Sequence, residues 1–153
     1  MALLGLTIAL SAIDNTLDDV NKEVKKVYVK GLRAIVAATP VHFKDGGRLR
    51  NNWFLSADRV SRGKRGKGSN GASSYSSITS KMPRTVLGKK LFFTNNMDYA
   101  NVVEYGGYPK NPNLGTRVGN SYQKLSSNGF SRQAPRGMVR INVRRMKREL
   151  RRL

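Results

Sequence analysis

Apolar residues recur at alternating three- and four-residue steps through Leu3, Leu6, Leu10, Ile13, Leu17, Val20, Val24 and Val27, the spacing of a single helix face. The pattern predicts one long helix from about Leu3 or Ser11 to Ala38, stopped by Thr39-Pro40 because proline disfavours helix at the residue before it. Ser11 with Asp14 also reads as a capping pair, so a restart or bend is expected there. Beyond Val27 the stripe thins to Gly31, Ala34 and Ala38, small residues that let another backbone approach. Asp45-Gly46-Gly47 signals a turn, and Trp53, Leu55 and Ala57 then alternate with Phe54, Ser56 and Asp58 as in a strand.

A second strand is expected over 89–95, with Phe92 and Phe93 on opposite faces. Between the strands, 61–80 is glycine, serine and cation with almost nothing to bury, and reads as a flexible basic hairpin loop ordered on a partner. Asp98 is placed to cap a short helix over Tyr99 to Tyr105 that Gly106-Gly107 closes. The prolines and glycines of 106–133 predict irregular loop. From Pro135, the residues Val139, Val143, Met146, Leu150 and Leu153 recur as on an amphipathic helix. Val139, Ile141 and Val143 also alternate, which leaves a short strand before that helix as an alternative. The fold class expected is α+β: a long N-terminal helix and a basic C-terminal helix packed on a small antiparallel sheet, in one domain over 1–153.

Charge changes this picture. The 153 residues carry a net charge of +20, and 21 of the 29 lysines and arginines follow Asp58, opposed there only by Asp98, Glu104 and Glu149. Such a surface calls for an anionic or acidic partner. The absence of cysteine excludes disulfides and thiolate metal sites. Met1 to Ala12 is apolar, with Ala9-Leu10-Ser11 similar to a cleavage site, but no cation precedes it and the helical stripe runs straight through it.

The chemistry-bearing residues point away from catalysis. His42 is the single histidine, which leaves imidazole-based relays and zinc clusters one residue to hang on. Asp98 and Glu104 stand six residues apart, off a common helix face. Gly66, Gly68 and Gly71 match a dinucleotide-binding pattern as letters, but no buried strand precedes them and serines follow. No enzyme activity and no cofactor are expected. Lys64, Arg65 and Lys67 form a cationic segment suited to phosphate backbones or acidic surfaces. Arg140, Arg144, Arg148 and Arg152 stand four apart on the last helix, where like charges repel by about 0.2–0.5 kcal/mol per pair, with Glu149 expected to relieve Arg145.

Three blocks in order carry a resemblance. Thr39-Pro40-Val41 with Gly47-Arg48-Leu49-Arg50-Asn51-Asn52-Trp53, then Tyr99-Ala100-Asn101-Val102-Val103-Glu104-Tyr105-Gly106, then Gln133-Ala134-Pro135-Arg136-Gly137-Met138-Val139, together resemble the tailed-phage neck and tail-completion proteins, a family also called minor tail component. The physical reading assigns Thr39-Pro40 to ending the first helix, the glycines to a sharp turn, and Trp53, Tyr99, Val103 and Tyr105 to the core. The turn over His42 to Gly46 is longer than the family's, and the cationic loop around Lys64 has no counterpart in it. The resemblance implies a structural virion protein at the head–tail junction, assembled in the host cytoplasm as a ring of commonly six copies around the DNA channel. Its implied partners are head-completion, tail terminator and tail tube proteins, with transient contact to genomic DNA and no membrane. The charge alone supports a different reading, a soluble nucleic-acid-binding or ribosome-like accessory protein, although no zinc finger, ribonucleoprotein sheet motif or helix-turn-helix is evident.

Overall fold

A computed structural model describes residues 2–42, 45–105, 116–118, 121–123 and 134–153. Helix α1 spans Ala2–Ala38 without interruption, about 55 Å at 1.5 Å per residue. Ser11 does not restart it: its hydroxyl donates to the Thr7 carbonyl at 3.0 Å, as Thr16 does to Ala12 at 2.9 Å, so both hydroxyls lie along a continuous helix. The stop falls where proline dictates. Thr39 N–H and hydroxyl both donate to the Ile35 carbonyl, at 3.0 and 2.7 Å, and the same hydroxyl oxygen accepts from Trp53 Nε1 at 2.8 Å.

Left-handed Gly46 and Gly47 (φ 59° and 74°) turn the chain into the short helix α2, Arg48–Asn51. A side chain at Gly47 would also strike the Ser69 backbone. Strand β1, Trp53–Ala57, pairs antiparallel with β2, Leu91–Asn95. Leu55 lies opposite Phe93, and Trp53 stacks on Phe93 with ring centroids 5.0 Å apart. Phe92 and Phe93 therefore face opposite sides, as alternation requires. Trp53 and Leu55 join Leu32, Ile35, Val36, Leu49, Ile78, Val103 and Met138 in one buried cluster.

The region 61–80 corrects the sequence reading. Ala72–Lys81 forms helix α3, and the preceding stretch is laced to the body. Asn52, with no exposed surface, donates to the Arg65 carbonyl at 3.0 Å and accepts its N–H at 2.6 Å. Asn51 donates to the Gly66 carbonyl at 3.2 Å, and Asn96 to those of Ser61 and Gly63 at 2.9 and 2.8 Å. The serines of α3 have a defined use, since Ser74 Oγ accepts from Trp53 N–H at 2.9 Å and Ser77 Oγ from Leu55 N–H at 3.0 Å. These N–H groups lie on the edge of β1 turned away from β2, so α3 seals that edge with hydroxyls where another strand would supply carbonyls.

Helix α4 spans Ala100–Tyr105. Asp98 is exposed and holds Lys64 Nζ at 3.0 Å. Thr116–Val118 and Ser121–Gln123 pair as strands β3 and β4, correcting the expectation of wholly irregular chain over 106–133, the rest of which lies outside the described residues. Arg140–Leu150 is helix α5, which excludes the strand alternative. It packs on α1, with Met146 seated where a side chain on Gly31 would be, so the small-residue face is filled from within the chain.

Removing the Ser74 hydroxyl strands the buried Trp53 N–H and the Arg50 carbonyl it donates to at 2.7 Å. Ser74→Ala is expected to cost about 1–3 kcal/mol, read as a lower urea midpoint at unchanged slope, while Ser76→Ala on the exposed side of α3 stays near wild type. Equal midpoints for the two variants would refute the edge-sealing role.

Candidate functional site

Helix α5 begins after Val139, which has no side chain able to cap the first N–H groups. The cap comes from Glu104, 35 residues earlier on α4. Its carboxylate accepts from the N–H groups of Met138 at 2.6 Å, Val139 at 2.8 Å and Arg140 at 2.9 Å, and from Arg140 Nε at 3.1 Å. Arg140 Nη2 also donates to the Glu104 carbonyl at 2.9 Å, and its guanidinium lies 4.5 Å over the Tyr105 ring. Gly137 is left-handed (φ 72°), and a Cβ there would come within 2.9 Å of Glu104 Oε1. The Gly-Met pair of the third block is thus explained by the carboxylate of the second.

Burial of Glu104 opposes its ionisation, but the three backbone donors and the Arg140 side chain outweigh burial and hold its carboxyl below the usual range. A carboxylate with this many donors is a fixed anion and is unsuited to passing protons. The adjoining cavity, bounded by Trp53, Ala100, Asn101, Tyr105 and Val139 among others, measures about 160 Å³, short of the roughly 300–1,000 Å³ of small-molecule sites. The first block is tied in as well. Tyr99 Oη donates to Asp45 Oδ2 at 2.6 Å, and Asp45 Oδ1 accepts from Gly47 N–H at 2.9 Å. Burial, reinforced by this bond, pushes the Tyr99 phenol far up.

The residues named from sequence therefore fall in three environments. Leu49, Trp53, Glu104, Ala134 and Gly137 are buried, Pro40 and Tyr99 half-buried, and Arg48 and Pro135 exposed. Tyr105 is corrected from core to surface, 54% exposed beneath Arg140. Gly106 lies outside the described residues. Among the cations, Arg65 is a clamp: its guanidinium sits 3.9 Å over Phe54 and donates to the Trp53 carbonyl at 3.1 Å, and burial lowers its pKa. Arg140 is committed to Glu104. Lys64 is exposed but paired with Asp98, and Lys67 is exposed with its methylenes against Gly46. Arg144, Arg148 and Arg152 are exposed. Glu149 reaches Lys30 at 2.9 Å, not Arg145.

Three features lie beyond the sequence reading. Arg50 covers the C-terminal carbonyls of α1 from α2, donating to Thr39 at 2.8 Å and Ala37 at 3.4 Å. The apolar stripe of α1 is exposed from Leu10 to Val20: Leu10 by 52%, Ile13 by 55%, Leu17 by 51% and Val20 by 43%. Finally, a groove of about 1,000 Å³ opens beside β1 and α3, lined by Phe54, Ala57, Arg59, Val60, Arg62 and Lys81 among others. Among the described residues no cluster of three His or carboxylate side chains is placed to hold a metal, and no helix is long and apolar enough to cross a membrane.

No protein-family model matches this chain, and no curated protein or solved structure matches it.

Glu104→Gln weakens a cap made to a full negative charge and is expected to lower stability at neutral pH by about 2–3 kcal/mol. Because the folded carboxyl titrates below its unfolded value of about 4.3, the contribution is complete above that pH and disappears as pH falls through the folded pKa. Denaturation curves across that window should show the gap between wild type and variant closing with acid; a constant gap would refute the assignment.

Proposed function

We propose that this chain is a structural protein of a tailed-phage particle, forming a ring at the head–tail junction around the DNA channel. One observation carries the reading: the three resembling segments meet in one buried cluster, where Leu49 and Trp53, Ala100 and Val103, and Ala134 and Met138 pack together, while an apolar stretch of α1 and a row of arginines are exposed. The blocks behave as one scaffold whose outer surfaces await neighbours. A subunit of a ring, commonly six copies, has such neighbours on both sides. The role is one of joining, with no catalytic residue and no cofactor.

In this reading Arg144, Arg148, Arg152 and Lys67 face acidic patches of head-completion, tail terminator or tail tube proteins, or the DNA that passes through the channel. Lys64, Arg65 and Arg140 hold the subunit's own shape. Much of the segment 61–80 is bonded to its own body.

The net charge of +20 favours a second reading as a soluble nucleic-acid-binding protein. The two part on self-assembly. Negative-stain images of purified protein without nucleic acid should show rings, and joint charge reversal of Arg144, Arg148 and Arg152 to glutamate should leave the fold intact yet yield heads and tails that do not join. A protein that stays single at every concentration and binds DNA with a steep salt dependence would establish the second reading instead.

A further inference from the structure

The exposed stripe of α1 is the upper part of a helix face whose lower part is core. Val27, Ile35 and Val36 are 8%, 2% and 0% exposed, whereas Leu10, Ile13, Leu17 and Val20 on the same helix are each more than two-fifths exposed. Over 10–20 the helix covers about 16 Å with nothing of its own chain, among the described residues, laid on the stripe. A row of four large apolar side chains is the usual mark of an interface.

Charge identifies what covers it. Asp14, Asp18, Asp19 and Glu23 make this the one acidic stretch of a strongly basic chain, holding four of its nine carboxylates against Lys22. Asp19 and Glu23 have lysine partners one turn on, whereas Asp18 feels Lys22 only at longer range and Asp14 has no ion pair among the described residues. Two such helices laid together would bring carboxylates against carboxylates. The groove beside β1 and α3 has the complementary make-up. Ala57 and a Val60 that is 50% exposed supply apolar floor beside a Phe54 ring that Arg65 covers, and Arg59, Arg62 and Lys81 supply exposed cations without a carboxylate in the lining.

We infer that the acidic, apolar-striped N-terminal half of α1 docks in the β1–α3 groove of a second copy of this chain. The stripe residues Leu10, Ile13, Leu17 and Val20 meet Ala57 and Val60 beside the Arg65-covered Phe54, while Asp14 and Asp18 face Arg59, Arg62 and Lys81. Donor and acceptor are different surfaces, so the contact is head-to-tail and propagates around a ring when its rotation closes. The inference rests on the ring-subunit reading and names the partner surfaces within it.

The chain has no cysteine, so single thiols report proximity cleanly. Copies carrying Leu17→Cys are mixed with copies carrying Val60→Cys under mild oxidation. Mixed disulfide dimers are expected to exceed same-variant dimers several-fold. Predominant Leu17→Cys homodimers would mean that α1 pairs with α1, and cross-links no more frequent than random would mean that stripe and groove do not meet; either overturns the inference. In parallel, Asp14→Arg/Asp18→Arg and Arg59→Glu/Arg62→Glu should each abolish self-association with unchanged circular dichroism, and all four together should restore it. Assembly by the four-fold variant no better than by the pairs overturns the inference as well. Rings formed without the mixed cross-link would sink the docking mode and spare the connector reading, whereas a mixed cross-link in a protein absent from phage particles would do the reverse.

Discussion

The carboxylate of Glu104 fixes the start of the last helix, α5, to α4. Helix α5 starts after a valine, which leaves its first N–H groups without a local acceptor, and a residue from α4 supplies one anion to those of Val139 and Arg140 and to that of Met138 just before them. The arrangement demands a left-handed glycine at 137 and an arginine at 140, and it places Met138 in the core at 1% exposure. Buried charge is costly unless fully paired. Here it is paired four times over, so helix start, core filling and ionisation state are consequences of the same geometry.

Much of the fold is legible because periodicity and proline speak directly about backbone. The 3–4 stripe marks α1, Thr39-Pro40 its end, alternation the two strands, and spacing after Pro135 the last helix. Composition misleads. The stretch around Ser73 to Ser80 reads as low-complexity loop because serine carries little apolar area, yet Ser74, Ser77 and Ile78 fall on one buried helix face, where hydroxyls satisfy a strand edge. Tyr105 departs for the opposite reason: an aromatic beside glycine reads as core, but its ring serves as a platform for Arg140. Of the candidate site, the residues of the three blocks are visible as letters, whereas the links among them, which are tertiary, are not. Equally, amphipathicity marks a face as coverable and does not say by whom, so the exposure of Leu10 to Val20 has no sequence signature.

The cations divide by environment more than by position. Arg50, Arg65 and Arg140 each spend their donors on backbone carbonyls or a buried carboxylate, a use suited to the planar, multi-donor guanidinium. The lysines in ion pairs are at the surface, where they meet acids one turn away or across helices. Net charge therefore overstates the surface available to an anionic partner, since the arginines nearest the core are already engaged. Arg144 and Arg148 on the outer side of α5 are exposed, with no ion pair among the described residues.

The hydroxyl-lined cover over β1 has a further implication for how copies of this chain come together. With the N–H groups of Trp53 and Leu55 occupied by Ser74 and Ser77, that border of the sheet offers no template on which an incoming chain could extend it, and runaway fibre growth is closed off there. A chain approaching this border at high concentration meets side chains of α3 where it would otherwise find those two N–H groups free.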